Sequence, residues 1–106
     1  MKVVKKKEIN SALLKSQYVS VEVSGQTHVI FICDVDSNKR TIICRGVNGF
    51  FDEKISDIPF AHITGDIEVI ENLEDFFEIA LRFQSKCHSL ESAMEEILKI
   101  SKEARR

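Results

Sequence analysis

The chain has 106 residues, of which 43% are apolar and 30% charged, so it is large enough for one hydrophobic core but too short for two. Its 15 basic and 17 acidic residues leave a net charge of −2, which disfavours nucleic acid and anionic lipid as general ligands of the surface. The sequence contains neither a run of roughly 20 apolar residues nor a signal peptide, so we expect a cytoplasmic protein without a membrane span.

The first half of the chain predicts a short helix followed by three strands, over residues 7–15, 18–24, 28–36 and 40–47. Within the first strand the valines alternate with polar residues, so they share one face. A three-residue turn after this strand sets Val23 opposite Val29, and a two-residue turn farther on sets Val35 opposite Ile42. In this register the two hairpins share one apolar face, which we predict to be the core face.

The second half of the chain predicts a fourth strand and then two helices. Residues 61–70 alternate strictly, whereas the segments that follow Asn72 and Ser89, two N-cap candidates, repeat apolar residues at helical spacing. The segment Asn48–Phe60 has no clear period. We therefore predict an α+β fold: a four-stranded, mainly antiparallel sheet with helices packed on one face, in the order α-β-β-β-β-α-α, as a single domain over residues 1–106.

The outward face of the predicted sheet is apolar where a sheet with one wet face should be polar. Ile30, Ile32 and Ile43 cluster there among charged residues. Either the chain itself covers them, through the first helix or the segment Asn48–Phe60, or a partner does. The predicted partner-binding residues are Ile30, Ile32, Ile43, Arg45, Glu22, Asp34, Asp66 and Glu68.

Two groups of residues are candidates for metal chemistry. Asp34 and Asp36 present two carboxylates on one strand face, as a Mg²⁺ site requires, but Asp is also common where a strand ends in a turn. A zinc site would have to draw on Cys33, Cys44, Cys87 and His88. The cysteines are not paired in short loops, so their spacing favours reduced thiols packed in the core. We expect no bound metal, no cofactor and no enzymatic activity.

A short basic segment opens the chain. Lys2, Lys5, Lys6 and Lys7, together with the Arg105-Arg106 end, offer contacts to phosphates. A charged chain terminus is the commoner meaning of such a pattern, and no aromatic residue lies between the lysines to stack on bases.

The combined pattern predicts a small, non-catalytic intracellular protein-binding domain of the inhibitor, immunity or antidote, or adaptor type. Its partner would be another protein, for which a basic surface would suit the acidic rim, or a second copy of the chain. The alternatives are a nucleic-acid-binding regulator that uses the N-terminal lysines and a metal-dependent enzyme centred on Asp34 and Asp36.

Overall fold

An antiparallel sheet and three α-helices make up the computed structural model, which describes residues 1–104, with side chains except at residues 84 and 99–104. The strands are β1 (Lys2–Val4), β2 (Gln17–Val23), β3 (Gln26–Asp36), β4 (Thr41–Gly46), β5 (Ile58–Pro59) and β6 (Ile67–Ile70). The helices are α1 (Ser11–Leu14), α2 (Leu73–Arg82) and α3 (Leu90–Ala104), and 3₁₀ turns span Lys6–Glu8, Phe60–His62 and Gln84–Lys86. Within the described residues, the strand order across the sheet is β1-β6-β2-β3-β4-β5.

The predicted class, α+β with an antiparallel sheet, is confirmed, but the predicted strand number and order are wrong. The described chain forms six strands rather than four, because two short strands escaped prediction. β1 is three residues long and precedes α1, and β5 is two residues long and contains Pro59. Both lie at sheet edges, where short strands, lysine and proline are tolerated.

The predicted strand over residues 61–70 is interrupted. A 3₁₀ turn occupies Phe60–His62, and Ile63 makes only an isolated bridge to Val23. A bend at Gly65 follows, and regular pairing resumes at Ile67 as β6. The residues of this segment alternate in polarity, but their backbone is not extended throughout. Alternation alone therefore does not indicate a continuous strand here.

The β2–β3 hairpin has a different register from the predicted one. Its turn is the two-residue Ser24-Gly25, in which both residues have positive φ, 51° and 82°. Such a backbone matches the twist of the flanking strands. The predicted three-residue turn is wrong, and Val23 lies opposite Gln26 rather than Val29. A shift by an odd number of residues exchanges the two faces of a strand.

A β-bulge changes the register of the second hairpin. Val35 pairs with Ile42 as predicted, but the register shifts between Ile32 and Asp34, so that Ile32 pairs with Cys44. A bulge sets two residues of one strand opposite one residue of its partner. Ile32 and Val35 therefore pack into the same core although they are three positions apart.

The sheet is buried on both faces. One face we call the loop face. There, Val19, Ile30 and Ile32 form a core with residues that follow the first 3₁₀ turn, with α1 and with the segment before β6. The covering residues include Ile9, Leu14, Ile58, Phe60 and Ile63. On the other, the helix face, Tyr18 and Val29 pack with α2 and α3. The prediction that all helices share one face is thus wrong for α1.

Glycine allows the segment after β4 to fold back tightly. A Cβ atom at Gly46 would lie 2.1 Å from the Cα of Glu53, so only glycine fits this approach. Gly49 has φ of 94°, and its carbonyl accepts hydrogen bonds from the N–H groups of His88 and Ser89. The segment is thereby joined to the connection between α2 and α3.

No helix in the described part of the chain combines the length and apolar character needed to cross a membrane.

Candidate functional site

The three isoleucines of the predicted patch do not form a free surface. Ile30 and Ile32 have no solvent exposure and lie in the core of the loop face. The prediction that they face outward is wrong, because the chain itself covers them with α1 and the segment before β6. Ile43, opposite Asp34 on the neighbouring strand, keeps 38% of its surface exposed. It does not belong to the core cluster that contains Ile30 and Ile32.

Arg45 connects the sheet to α3. Its guanidinium lies 4.8 Å from the centre of the Phe31 ring and pairs with the carboxylate of Glu96. Burial opposes the charged form, but the hydrogen bond and the charge of Glu96 outweigh it and raise the pKa of Arg45 above its usual value. The side chain is thus engaged within the protein.

The acidic residues assigned to the rim are partly engaged within the chain. Glu22 accepts a hydrogen bond from the Thr64 hydroxyl at 2.9 Å, and Asp66 is exposed near the start of β6. Glu68 accepts two hydrogen bonds from Arg82, at 2.9 and 2.8 Å. These bonds hold the pKa of Glu68 below its usual range. At least two of the predicted contact residues therefore bind other parts of the chain.

Asp34 and Asp36 both accept hydrogen bonds from other groups of the chain. The Ser11 hydroxyl donates to Asp34 at 2.8 Å and holds the pKa of that carboxyl below its usual range. Asp36 accepts from the N–H groups of Asn38 and Lys39, both at 3.0 Å, and so stabilises the turn after β3. Among the described residues, no group of three or more His, Cys, Asp or Glu side chains is placed to hold a metal ion.

The three cysteines differ in environment. Cys44 is buried, donates to the Ser56 carbonyl at 3.4 Å, and has its pKa raised by burial to about 12. Cys87 is partly buried, whereas Cys33 is exposed at the bulge. The prediction that Cys33 packs in the core is therefore wrong, because the bulge interrupts the alternation on which that prediction depends. All three thiols are free.

The basic residues of the nucleic-acid alternative lie at one end of the chain or outside the described residues. Lys2 belongs to edge strand β1, and the other three lysines lie in or next to the first 3₁₀ turn. All four are exposed. Arg105 and Arg106 fall outside the described residues.

A different surface gathers exposed apolar side chains, and two well-capped helices build it. The Asn72 side chain accepts the N–H of Asp75 at 2.9 Å at the start of α2. The Ser89 hydroxyl accepts the N–H of Ser92 at 3.2 Å at the start of α3. Both caps satisfy amide groups that lack a partner within the helix. The two helix starts are therefore fixed.

The helices pack on the sheet through one stripe each and leave an apolar groove between them. Phe76 and Ile79 of α2 and Ala93 and Ile97 of α3 point to the sheet. The residues that line the groove, which we call the α2–α3 groove, are Phe77, Ala80, Leu81, Cys87 and Leu90, around a volume of about 210 Å³. Three of these stay exposed: Phe77 by 39%, Leu81 by 69% and Leu90 by 45%.

Exposed glutamates lie on both helices, and those of α2 flank the groove. Glu74 and Glu78 lie three positions before Phe77 and Leu81, so they occupy the adjacent strip of the α2 surface. Glu91 follows Leu90 on α3, and Glu95 lies one turn farther on. All four glutamates are exposed. The groove is apolar inside and acidic along its α2 edge.

The loop after β4 borders the connection that contributes Cys87 to the groove. The Phe51 N–H donates to the Lys86 carbonyl at 2.9 Å, and the Phe51 ring lies 5.2 Å from the His88 ring. His28 Nδ1 lies 3.1 Å from a carboxylate oxygen of Asp52, so the same loop also approaches the sheet closely. These contacts hold the connection that bounds the groove on this side.

The sequence carried part of the signal for this groove. The helical spacing after Asn72 predicts one core stripe on α2, which includes Phe76, Phe77 and Ala80, but Phe77 faces the groove. Leu81 lies outside the predicted stripe, and an apolar residue off the stripe of an amphipathic helix points to a second apolar surface. Which side chain would meet it could not be predicted, because Leu90 follows a connection of irregular backbone.

Comparison of the chain with protein-family models, with curated proteins and with solved structures finds no match in any of the three.

Proposed function

We propose that this chain is a non-catalytic protein-binding domain and that a segment of another protein docks in the α2–α3 groove. The observation that supports this function is the clustering of Phe77, Leu81 and Leu90 around one groove with much of their surface in water. Exposed apolar residues that stand alone are ordinary, whereas a contiguous apolar patch with a polar rim marks an interaction site. Roles as an inhibitor, an immunity or antidote protein, or an adaptor fit such a domain.

The non-catalytic part of the proposal rests on how the candidate chemical groups are used. Asp34 and Asp36, the carboxylates with the best spacing for chemistry, each accept hydrogen bonds that fix the local fold. The Cys44 thiol is buried with a raised pKa, which disfavours the nucleophilic thiolate. These groups support stability rather than catalysis.

The test is affinity capture from the native cell, followed by direct binding. The full chain is immobilised beside the double variant Leu81→Ser and Leu90→Ser, and beside the matched control Val3→Ser and Ile43→Ser. The control removes two other exposed apolar side chains, which lie outside the groove. Each captured protein is then purified and titrated against all three chains by calorimetry. Circular dichroism checks that the variants are folded.

We expect a protein that binds the wild type and the control with equal affinity and binds the groove variant at least about tenfold more weakly. A partner whose affinity is the same for all three chains would place docking elsewhere and refute the groove. If sedimentation shows that the wild type dimerises and the groove variant does not, the occupant is a second copy, which also contradicts the proposal.

A further inference from the structure

The α2–α3 groove has room for only a few side chains. An apolar cavity of about 150 Å³ holds one benzene molecule, so the groove volume of about 210 Å³ fits one aromatic ring or two aliphatic side chains. Phe77 and Leu81 lie one helical turn apart on its wall, and the small side chains of Ala80 and Cys87 form its base. The occupant therefore inserts anchors that are spaced about one helical turn apart.

The backbone around the groove offers little to an extended peptide. The groove is lined by α2, by Cys87 of the connection and by Leu90 at the start of α3. The interior amide and carbonyl groups of α2 bond within the helix, and in the connection the Lys86 carbonyl and the N–H groups of His88 and Ser89 bond to the loop after β4. An extended peptide needs a strand edge to pair its own backbone groups, whereas a helix pairs them internally. A helical occupant loses no backbone hydrogen bonds when it enters a groove of this kind.

The acidic side chains beside the groove determine which residues are favoured on the flanks of that helix. Glu74 and Glu78 are exposed beside the apolar wall, and no ion pair within the described side chains involves them. The nearest cation on α2, Arg82, forms its ion pair with Glu68 and interacts with Glu78 through charge alone. Carboxylates without an ion-pair partner beside an apolar groove favour a ligand with basic residues at its edges.

We propose, on the basis of the docking function above, that the occupant is a short amphipathic helix of a partner protein, with apolar anchors one turn apart and lysine or arginine on its flanks. The groove supplies the apolar contacts that keep the helix bound. The glutamates accelerate association and disfavour acidic helices. In this mode of recognition an amphipathic helix binds in an apolar groove, and the charge beside the groove discriminates between basic and acidic helices.

A display library of random 16-residue peptides, selected on the full-length protein, identifies the probes. The selected peptides are synthesised with a fluorophore, and their dissociation constants are measured by anisotropy in 25 and 250 mM NaCl. Circular dichroism of free and bound peptide reports whether each one becomes helical. The peptides, rather than an assumed partner, are thus the ligands measured.

Three variants are compared with the wild type. Leu81→Ser with Leu90→Ser removes the apolar wall, and Glu74→Gln with Glu78→Gln removes the charge on α2. The matched control for charge is Asp57→Asn with Asp66→Asn, because these exposed carboxylates lie outside the groove lining and the net change is the same.

We expect basic peptides that become helical on binding and weaken about tenfold or more on the apolar variant. On the glutamate variant they should weaken about fivefold in 25 mM NaCl and much less in 250 mM NaCl, with no change on the control. Peptides that need Leu81 and Leu90 but are acidic, stay extended or ignore the glutamates would overturn this inference and leave the docking function standing. If no selected peptide depends on the apolar wall, both proposals fail.

Discussion

Replacing Ile32 by alanine tests whether the sheet has two buried faces. Ile32 has no exposed surface and packs between the sheet and the segments that cover the loop face. The substitution removes three buried carbon atoms, which costs about 2.4 kcal/mol at ~0.8 kcal/mol each. The cavity left behind raises the loss of unfolding free energy towards about 4 kcal/mol. A domain of this size has a total stability of about 5–15 kcal/mol, so the effect is large.

Ile43→Ala is the matched control, because the same atoms are removed from a neighbouring strand at a site with 38% exposure. We expect it to cost less than about 1 kcal/mol. Urea unfolding followed by circular dichroism measures both changes, and the dependence on urea should stay the same if both chains unfold in two states. Equal losses in the two variants, or a loss below about 1 kcal/mol for Ile32→Ala, would refute burial of this face.

Two more predictions concern the loop after β4 and the ion pair on α2. Gly49→Ala should destabilise more than Gly25→Ala in urea: both residues have positive φ, but only at Gly49 would a Cβ lie 2.2 Å from the Ser89 carbonyl oxygen. Equal losses would contradict the tight packing of this loop. Arg82 lowers the pKa of Glu68, so their pair stabilises the fold above the ordinary carboxyl pKa and stops doing so as pH falls from about 5 towards 3. Melting temperatures should show the wild-type advantage over Arg82→Gln shrinking across that range, and a constant difference from pH 7 to pH 3 would exclude this origin.

The fold class and the two long helices could be predicted because their signals are local. Asn72 and Ser89 do cap α2 and α3, and both helices start where the caps predict. The pairing of Val35 with Ile42 also follows from the chain between them, since Asp36 organises the turn. A cap or a turn needs only neighbouring residues, and these are visible in the sequence.

The assignment of faces failed because it depends on residues that are far apart. The run from Val29 to Cys33 is apolar at every position except its last, which is a thiol, and such a run is typical of a strand that is buried on both faces. It was interpreted instead as a strand with one wet face. The bulge at Cys33 and the positive φ of Ser24 then fixed a register that alternation alone could not predict.

A sheet that is buried on both faces has a consequence for where binding occurs. The sheet surfaces are used for folding, so a docking site must use residues that the core does not need. α2 meets this condition by dividing its apolar residues between two directions: Phe76 and Ile79 face the sheet, and Phe77 and Leu81 face the groove. Leu81 is mostly in water before any partner binds, so changing it removes little buried surface from the fold.

Stability and binding should therefore respond to different substitutions on one helix: Ile79→Ala should lower the stability, and Leu81→Ser should lower the affinity for a partner. A Leu81→Ser variant that unfolded as readily as Ile79→Ala would show that the groove belongs to the core.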